Sequence, residues 1–201
     1  MKFRNSLLAV IASFGLAAAA NAAPITGQIS LAGYVSAVGS VGMAAATGLN
    51  FQTGTGTADN GTAPGGLTSF GGGSGTFAGL TCANPGGGCG TIKDLASFTT
   101  SPPIASFLTL NANGISFDLA SITDVTRIDG SNSINITANG TVHETGFDNT
   151  GGTFFLTAQG DNIVSFSATT LAANTSVPEP ASLAILGGGL AAIGLIRRKK
   201  A

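Results

Sequence analysis

Between residues 104 and 170 the chain alternates apolar and polar positions with a period of two. Ile115, Phe117 and Leu119 interleave with Ser116, Asp118 and Ala120, and Ile134 and Ile136 interleave with Ser133, Asn135 and Thr137. Successive side chains of a strand point to opposite faces, so this pattern buries one face and leaves the other polar. Three antiparallel hairpins are predicted. Segments 104–110 and 115–122 flank Asn111-Ala112-Asn113-Gly114, and segments 153–158 and 162–170 flank Gln159-Gly160-Asp161. Segments 133–138 and 141–146 flank Asn139-Gly140, the strongest short-range hairpin signal. On a regular strand the adjacent Phe154 and Phe155 must take opposite faces.

Upstream the pattern weakens. Residues 27–90 are crowded with Gly, Thr, Ala and Ser, and only short strands are expected, at 25–35, 48–53 and 75–80. Glycine-interrupted strands belong at sheet edges or in loops. No body segment carries a long helical period. The expected fold is all-β: an antiparallel β-sandwich or jelly-roll-like body over 23–176, with an N-terminal signal helix and a single C-terminal transmembrane helix.

Both ends carry membrane-directed patterns. Lys2 and Arg4 precede an apolar run over 7–20 and then Ala20-Asn21-Ala22, the order of a secretory signal peptide over 1–22 with cleavage by signal peptidase after Ala22. At the other end Val177-Pro178-Glu179-Pro180 is followed by 16 uncharged residues, 181–196, and then by Arg197-Arg198-Lys199-Lys200. As a helix that run spans ~24 Å, enough to cross if the basic side chains snorkel and the bilayer thins. The cations mark the cytoplasmic side and place the body outside. Each proline fixes φ and extends its predecessor, so residues 177–180 form a stiff, accessible segment beside the membrane.

In that order, the VPEP segment, the glycine-containing apolar run and the RRKK end resemble the PEP-CTERM sorting signal of Gram-negative bacteria. The resemblance covers 177–201. It implies recognition of Pro178-Glu179-Pro180 by an exosortase, with Val177 opening the motif and Arg197, Arg198, Lys199 and Lys200 as the stop-transfer end. It also implies transient residence in the inner membrane, removal of the helix, and delivery of the body to the cell surface or an exopolysaccharide matrix.

Charge narrows the function further. Only 8% of residues are charged, against about a quarter in an ordinary soluble domain. Between the two termini only Lys93 and Arg127 oppose Asp59, Asp94, Asp118, Asp124, Asp129, Glu144, Asp148 and Asp161, so the body carries 2 − 8 = −6. Such a surface repels polyanions and argues against a nucleic-acid partner.

Chemistry is sparse. Cys82 and Cys89 enclose Ala-Asn-Pro-Gly-Gly-Gly, and in an oxidising compartment the expectation is one local disulfide. His143, the single histidine, stands beside Glu144, and no GxSxG elbow supplies a nucleophile for it. The acidic residues of the β-rich half suit calcium slightly better than glycoside hydrolysis, but neither an EF-hand loop nor a calcium-binding repeat is present, and no cofactor is expected. Asn-x-Thr/Ser patterns at Asn60, Asn135, Asn139 and Asn174 are weak signals in so Thr-rich a chain. The leading expectation is a noncatalytic exported surface or matrix protein. A carbohydrate-binding module comes second, although the body has no Trp and only Tyr34, and an extracellular hydrolase comes last.

Overall fold

The alternation over 150–172 folds into two long paired strands. The computed structural model describes residues 22–58 and 64–172. The predicted signal helix, the transmembrane helix, Val177, Pro178, Glu179 and Pro180, and the basic end Arg197, Arg198, Lys199 and Lys200 all lie outside the described residues. Twelve strands follow in order: β1 Ala23–Pro24, β2 Gly27–Val38, β3 Gly48–Phe51, β4 Gly65–Gly71, β5 Cys82–Ala83, β6 Gly90–Ile92, β7 Ile104–Leu110, β8 Ser116–Ile128, β9 Ser133–His143, β10 Phe147–Asp148, β11 Thr150–Gln159 and β12 Ile163–Ala172. The other helical elements described are three single 3₁₀ turns. Among the described residues no helix is long and apolar enough to cross a membrane.

The strands are all-β as expected, but the sandwich is corrected to a closed barrel. Strand order runs β2-β12-β11-β9-β8-β7-β6-β4, and β4 pairs back onto β2 to close an eight-stranded antiparallel ring. β3 continues along β2 beyond the closure, through Val35↔Phe51 to Val38↔Gly48, while β5 adds to β4. A sandwich would leave two exposed edges on each sheet, whereas closure removes them. Bulges let the wall coil: the register slips in β8 between Leu119 and Ser121 and between Ile122 and Asp124, and in β7 between Ile104 and Leu108. The bulged Ser106 sits at φ 46, and its N–H donates to Asp118 Oδ1 at 2.6 Å.

Three further sequence expectations are overturned. Asn139-Gly140 is not a hairpin tip: β9 runs through it, with Asn139 opposite Thr153 and Gly140 opposite Gly152. Glycine stands there for space. A Cβ at Gly140 would fall 2.0 Å from the Asp118 carbonyl oxygen and 2.5 Å from the Phe117 ring. The glycine-rich opening segment also enters the barrel wall, because β2 pairs with β12, β3 and β4. At Gly33 a Cβ would meet the Phe166 ring at 2.7 Å. The expected strand over 75–80 is instead a 3₁₀ turn, Gly75–Phe77, and β4, β5 and β6 arise where none was predicted.

Eight strands leave an interior just wide enough for side chains to fill. Phe166, Phe51, Phe107, Phe154 and Phe117 form a chain of ring contacts through it, with successive centroids 5.2, 6.0, 5.4 and 6.2 Å apart. Burying each such ring contributes ~1.5–3 kcal/mol. Phe154 is 0% exposed and Phe155 is 39% exposed, as the period of two requires. The outward positions of β9, β11 and β12 are mainly Thr, Ser and Asn. Apolar in and polar out is the reverse of a membrane-spanning barrel.

Candidate functional site

The barrel interior is occupied by aromatic and aliphatic side chains, so candidate sites lie on its ends and outer wall. At one end β1 pairs in parallel with β10, and the Ile25 N–H donates to Thr150 Oγ1 at 2.9 Å. The 111–114 turn and the β9–β10 connection form part of the same region. His143 ends β9 there, opposite Ser116. Its Nε2 lies 3.0 Å from Asp118 Oδ2 and its Nδ1 lies 2.8 Å from Asn149 Oδ1. A Ser-His-Asp device needs a hydroxyl or thiol on the ring nitrogen opposite the carboxylate, and Asn149 stands in that place. The neighbouring Glu144 is half-buried with Oε2 shut from solvent and unpartnered. Burial raises its carboxyl above the ordinary range, and a hydrogen bond from Asn113 opposes that rise only in part.

Three other acids, Asp94, Asp124 and Asp161, hold local structure. Asp124 Oδ2 accepts from Thr126 at 2.7 Å, and Asp94 Oδ1 accepts from the Phe51 N–H at 2.8 Å. Asp161 accepts from Asn132, a residue the sequence reading missed. Asn132 sits at φ 45 and joins three loops at the other end of the barrel: its Oδ1 accepts from the Ala44 N–H, and its Nδ2 donates to the Gly160 carbonyl. Asn tolerates the left-handed conformation, but the contacts span 88 positions to Ala44 and no local pattern marks them. Among the described residues no group of three or more His, Cys, Asp or Glu side chains is placed to hold one metal ion.

Cys82 and Cys89 form a disulfide, with Cα atoms 5.6 Å apart. The loop it closes packs backbone to backbone on the wall, since a Cβ at Gly54 would fall 2.0 Å from the Gly87 Cα. Of the Asn-x-Thr positions in the described residues, Asn135 and Asn139 both lie on β9 with their side chains on the outer wall.

That outer wall is rich in hydroxyls, as the polar half of the alternation requires. Strands β2, β11 and β12 contain no charged residue. Phe155 stands among their hydroxyls, directly opposite Thr137 on one side and Thr169 on the other.

A family model for the PEP-CTERM protein-sorting motif matches residues 176–200. No curated protein and no protein of solved structure matches the chain. The motif spans the VPEP segment, the apolar run and the basic end, and it supports exosortase-dependent sorting to the cell surface.

Proposed function

Since the chain carries a PEP-CTERM sorting motif at its C-terminal end, we propose that it is a noncatalytic exported protein, processed by an exosortase and left at the cell surface or in the extracellular matrix as a folded β-barrel. The observation that carries this reading is the coincidence of the motif with a signal-peptide pattern at the opposite end. Signal peptidase cuts after Ala22 and the inner membrane holds the chain transiently. β1 begins at Ala23, one residue past that cut, and Ile25 is fully buried. The mature N-terminus is therefore tied into the fold from its first residues, through the β1–β10 pairing and the burial of Ile25 in the core. The disulfide suits an oxidising compartment.

Noncatalytic character is supported by the arrangement of the chemistry-bearing groups. His143 is held between Asp118 and Asn149, and Asp94, Asp124 and Asp161 each accept a hydrogen bond that fixes local structure. Deleting residues 178–180 and fractionating the cells tests the sorting step. The expected result is accumulation of unprocessed protein with the inner membrane and loss from the surface. Unchanged processing and surface delivery would overturn the proposal.

A further inference from the structure

We propose that the outer wall formed by β9, β11, β12 and β2 binds a neutral polysaccharide chain, with Phe155 as the stacking platform; this deepens the reading of the protein as a surface or matrix component. Register builds the surface. The central row across the four strands is Thr137, Phe155, Thr169 and Ser30. One row toward the β9 N-terminus stand Asn135, Thr157, Ser167 and Ala32, and one row the other way stand Asn139, Thr153, Leu171 and Gln28. With strands ~4.8 Å apart and same-face residues ~6.7 Å apart, this field measures about 14 by 13 Å, long enough for a few sugar rings.

Four observations favour this occupant. First, Phe155 is an exposed ring at the centre of the wall, flanked directly by the hydroxyls of Thr137 and Thr169, with Leu171 as the apolar side chain diagonal to it. A sugar presents the same mixture, with C–H groups on one ring face and hydroxyls around the rim. Second, the hydroxyls of Thr137, Thr157, Thr169, Ser165 and Ser167 have no hydrogen-bond partner among the described residues, so they are free to donate and accept. Third, a shallow depression in the same wall is lined by Ala32, Thr157, Gln159, Gly160, Ser165 and Ser167, beside the Phe155 platform. The small Ala32 side chain leaves room there for a ring substituent. Fourth, β2, β11 and β12 carry no charge, so these three strands offer no cation to hold an anionic polymer and no charge that a neutral one would have to desolvate.

The competing occupants fit less well. β11 and β12 are hydrogen-bonded on both sides, which leaves no edge for an added peptide strand. A second copy of the chain would need a stable interface of ~1,200 Å² or more with an apolar centre, and this wall offers one exposed phenylalanine.

The test is native electrophoresis of the processed protein recovered from the cell surface, in gels with and without hydroxyethylcellulose as the neutral polymer and alginate as the anionic one. Mobility is taken relative to the polymer-free gel. Hydroxyethylcellulose should retard the protein and alginate should not. Phe155→Ala should weaken retention about fivefold to tenfold, the loss of one aromatic contact. Thr157→Glu should weaken it as well, while Thr91→Glu, on β6 across the barrel, should leave it unchanged. Absence of retention by the neutral polymer, equal retention by alginate, or retention indifferent to Phe155→Ala and Thr157→Glu would overturn the proposal. So would self-association in sedimentation that both variants abolish. Circular dichroism of each variant separates lost binding from lost folding. Surface delivery of each variant is scored separately, so a failed binding surface is distinguished from failed sorting.

Discussion

Replacing Gly140 by alanine adds one methyl group at a point where the chain has no room for it. The new Cβ would lie 2.0 Å from the Asp118 carbonyl oxygen and 2.5 and 2.8 Å from two atoms of the Phe117 ring. Phe117 could shift, but the carbonyl belongs to the β8–β9 pairing, where Leu119 faces Gly140. Relief therefore requires the two strands to part. Overpacking of this kind costs ~1–3 kcal/mol, and the backbone contact places it at the upper end, about 3 kcal/mol. For a domain of this size that lowers Tm by about 6–12 °C. Gly151 supplies the opposite case within β11. It lies in a strand with nothing within 4 Å of its missing Cβ, so Gly151→Ala should leave stability unchanged or raise it by about 0.5–1 kcal/mol. Thermal melts followed by circular dichroism compare the two variants. Were Asn139-Gly140 a hairpin tip after all, Gly140→Ala would meet solvent rather than β8. A Gly140→Ala protein that melts with or above the parent would refute the continuous β9 strand.

Three further predictions concern the body. Phe154→Ala, which removes ring contacts to Phe107 and Phe117, should cost about 3–5 kcal/mol. Phe155→Ala should cost less than about 1 kcal/mol, and denaturant midpoints that fail to separate the two would contradict the assigned faces. Replacing both Cys82 and Cys89 with alanine should lower stability by up to ~2.5 kcal/mol, taking the closed loop as about eight residues, and reductant should then have no further effect on the variant. Glu144 has a carboxyl raised by burial, so the native state binds more protons than the unfolded one between the two values. Its contribution is fully present below the ordinary carboxylate range and is lost as pH rises through the raised value. Glu144→Gln should flatten that fall and be the more stable form at about pH 7. Equal pH profiles of parent and variant in guanidinium unfolding would count against the buried carboxyl.

The alternation from residue 104 onward made the strands legible, because period-two burial is written into each strand locally. It named the 104–122 and 153–170 hairpins and sent Phe154 and Phe155 to opposite faces. Ring closure was not legible. It depends on Ser30–Gly33 meeting β4 across the register shift between Ala32 and Gly33, a contact between segments whose many glycines weaken any periodic signal. The same residue type misled twice, since glycine signals a turn by its conformational freedom but also serves where backbones and rings approach closely. Gly140, Gly33 and Gly54 belong to the second use. The hydroxyl-rich strand faces were legible in the polar positions, but their assembly into one charge-free wall was not, because it depends on β2 pairing with β12 across the length of the chain. The tail was legible because its order of extended prolines, apolar run and cations acts through chain order and needs no tertiary contact.

The most direct test of the sorting account is the mass of the C-terminal peptide of protein recovered from the cell surface. Exosortase processing predicts a chain that ends within or beside Pro178-Glu179-Pro180 and lacks the apolar run and Arg197-Arg198-Lys199-Lys200. Surface protein that still carries residues 181–201 would contradict it.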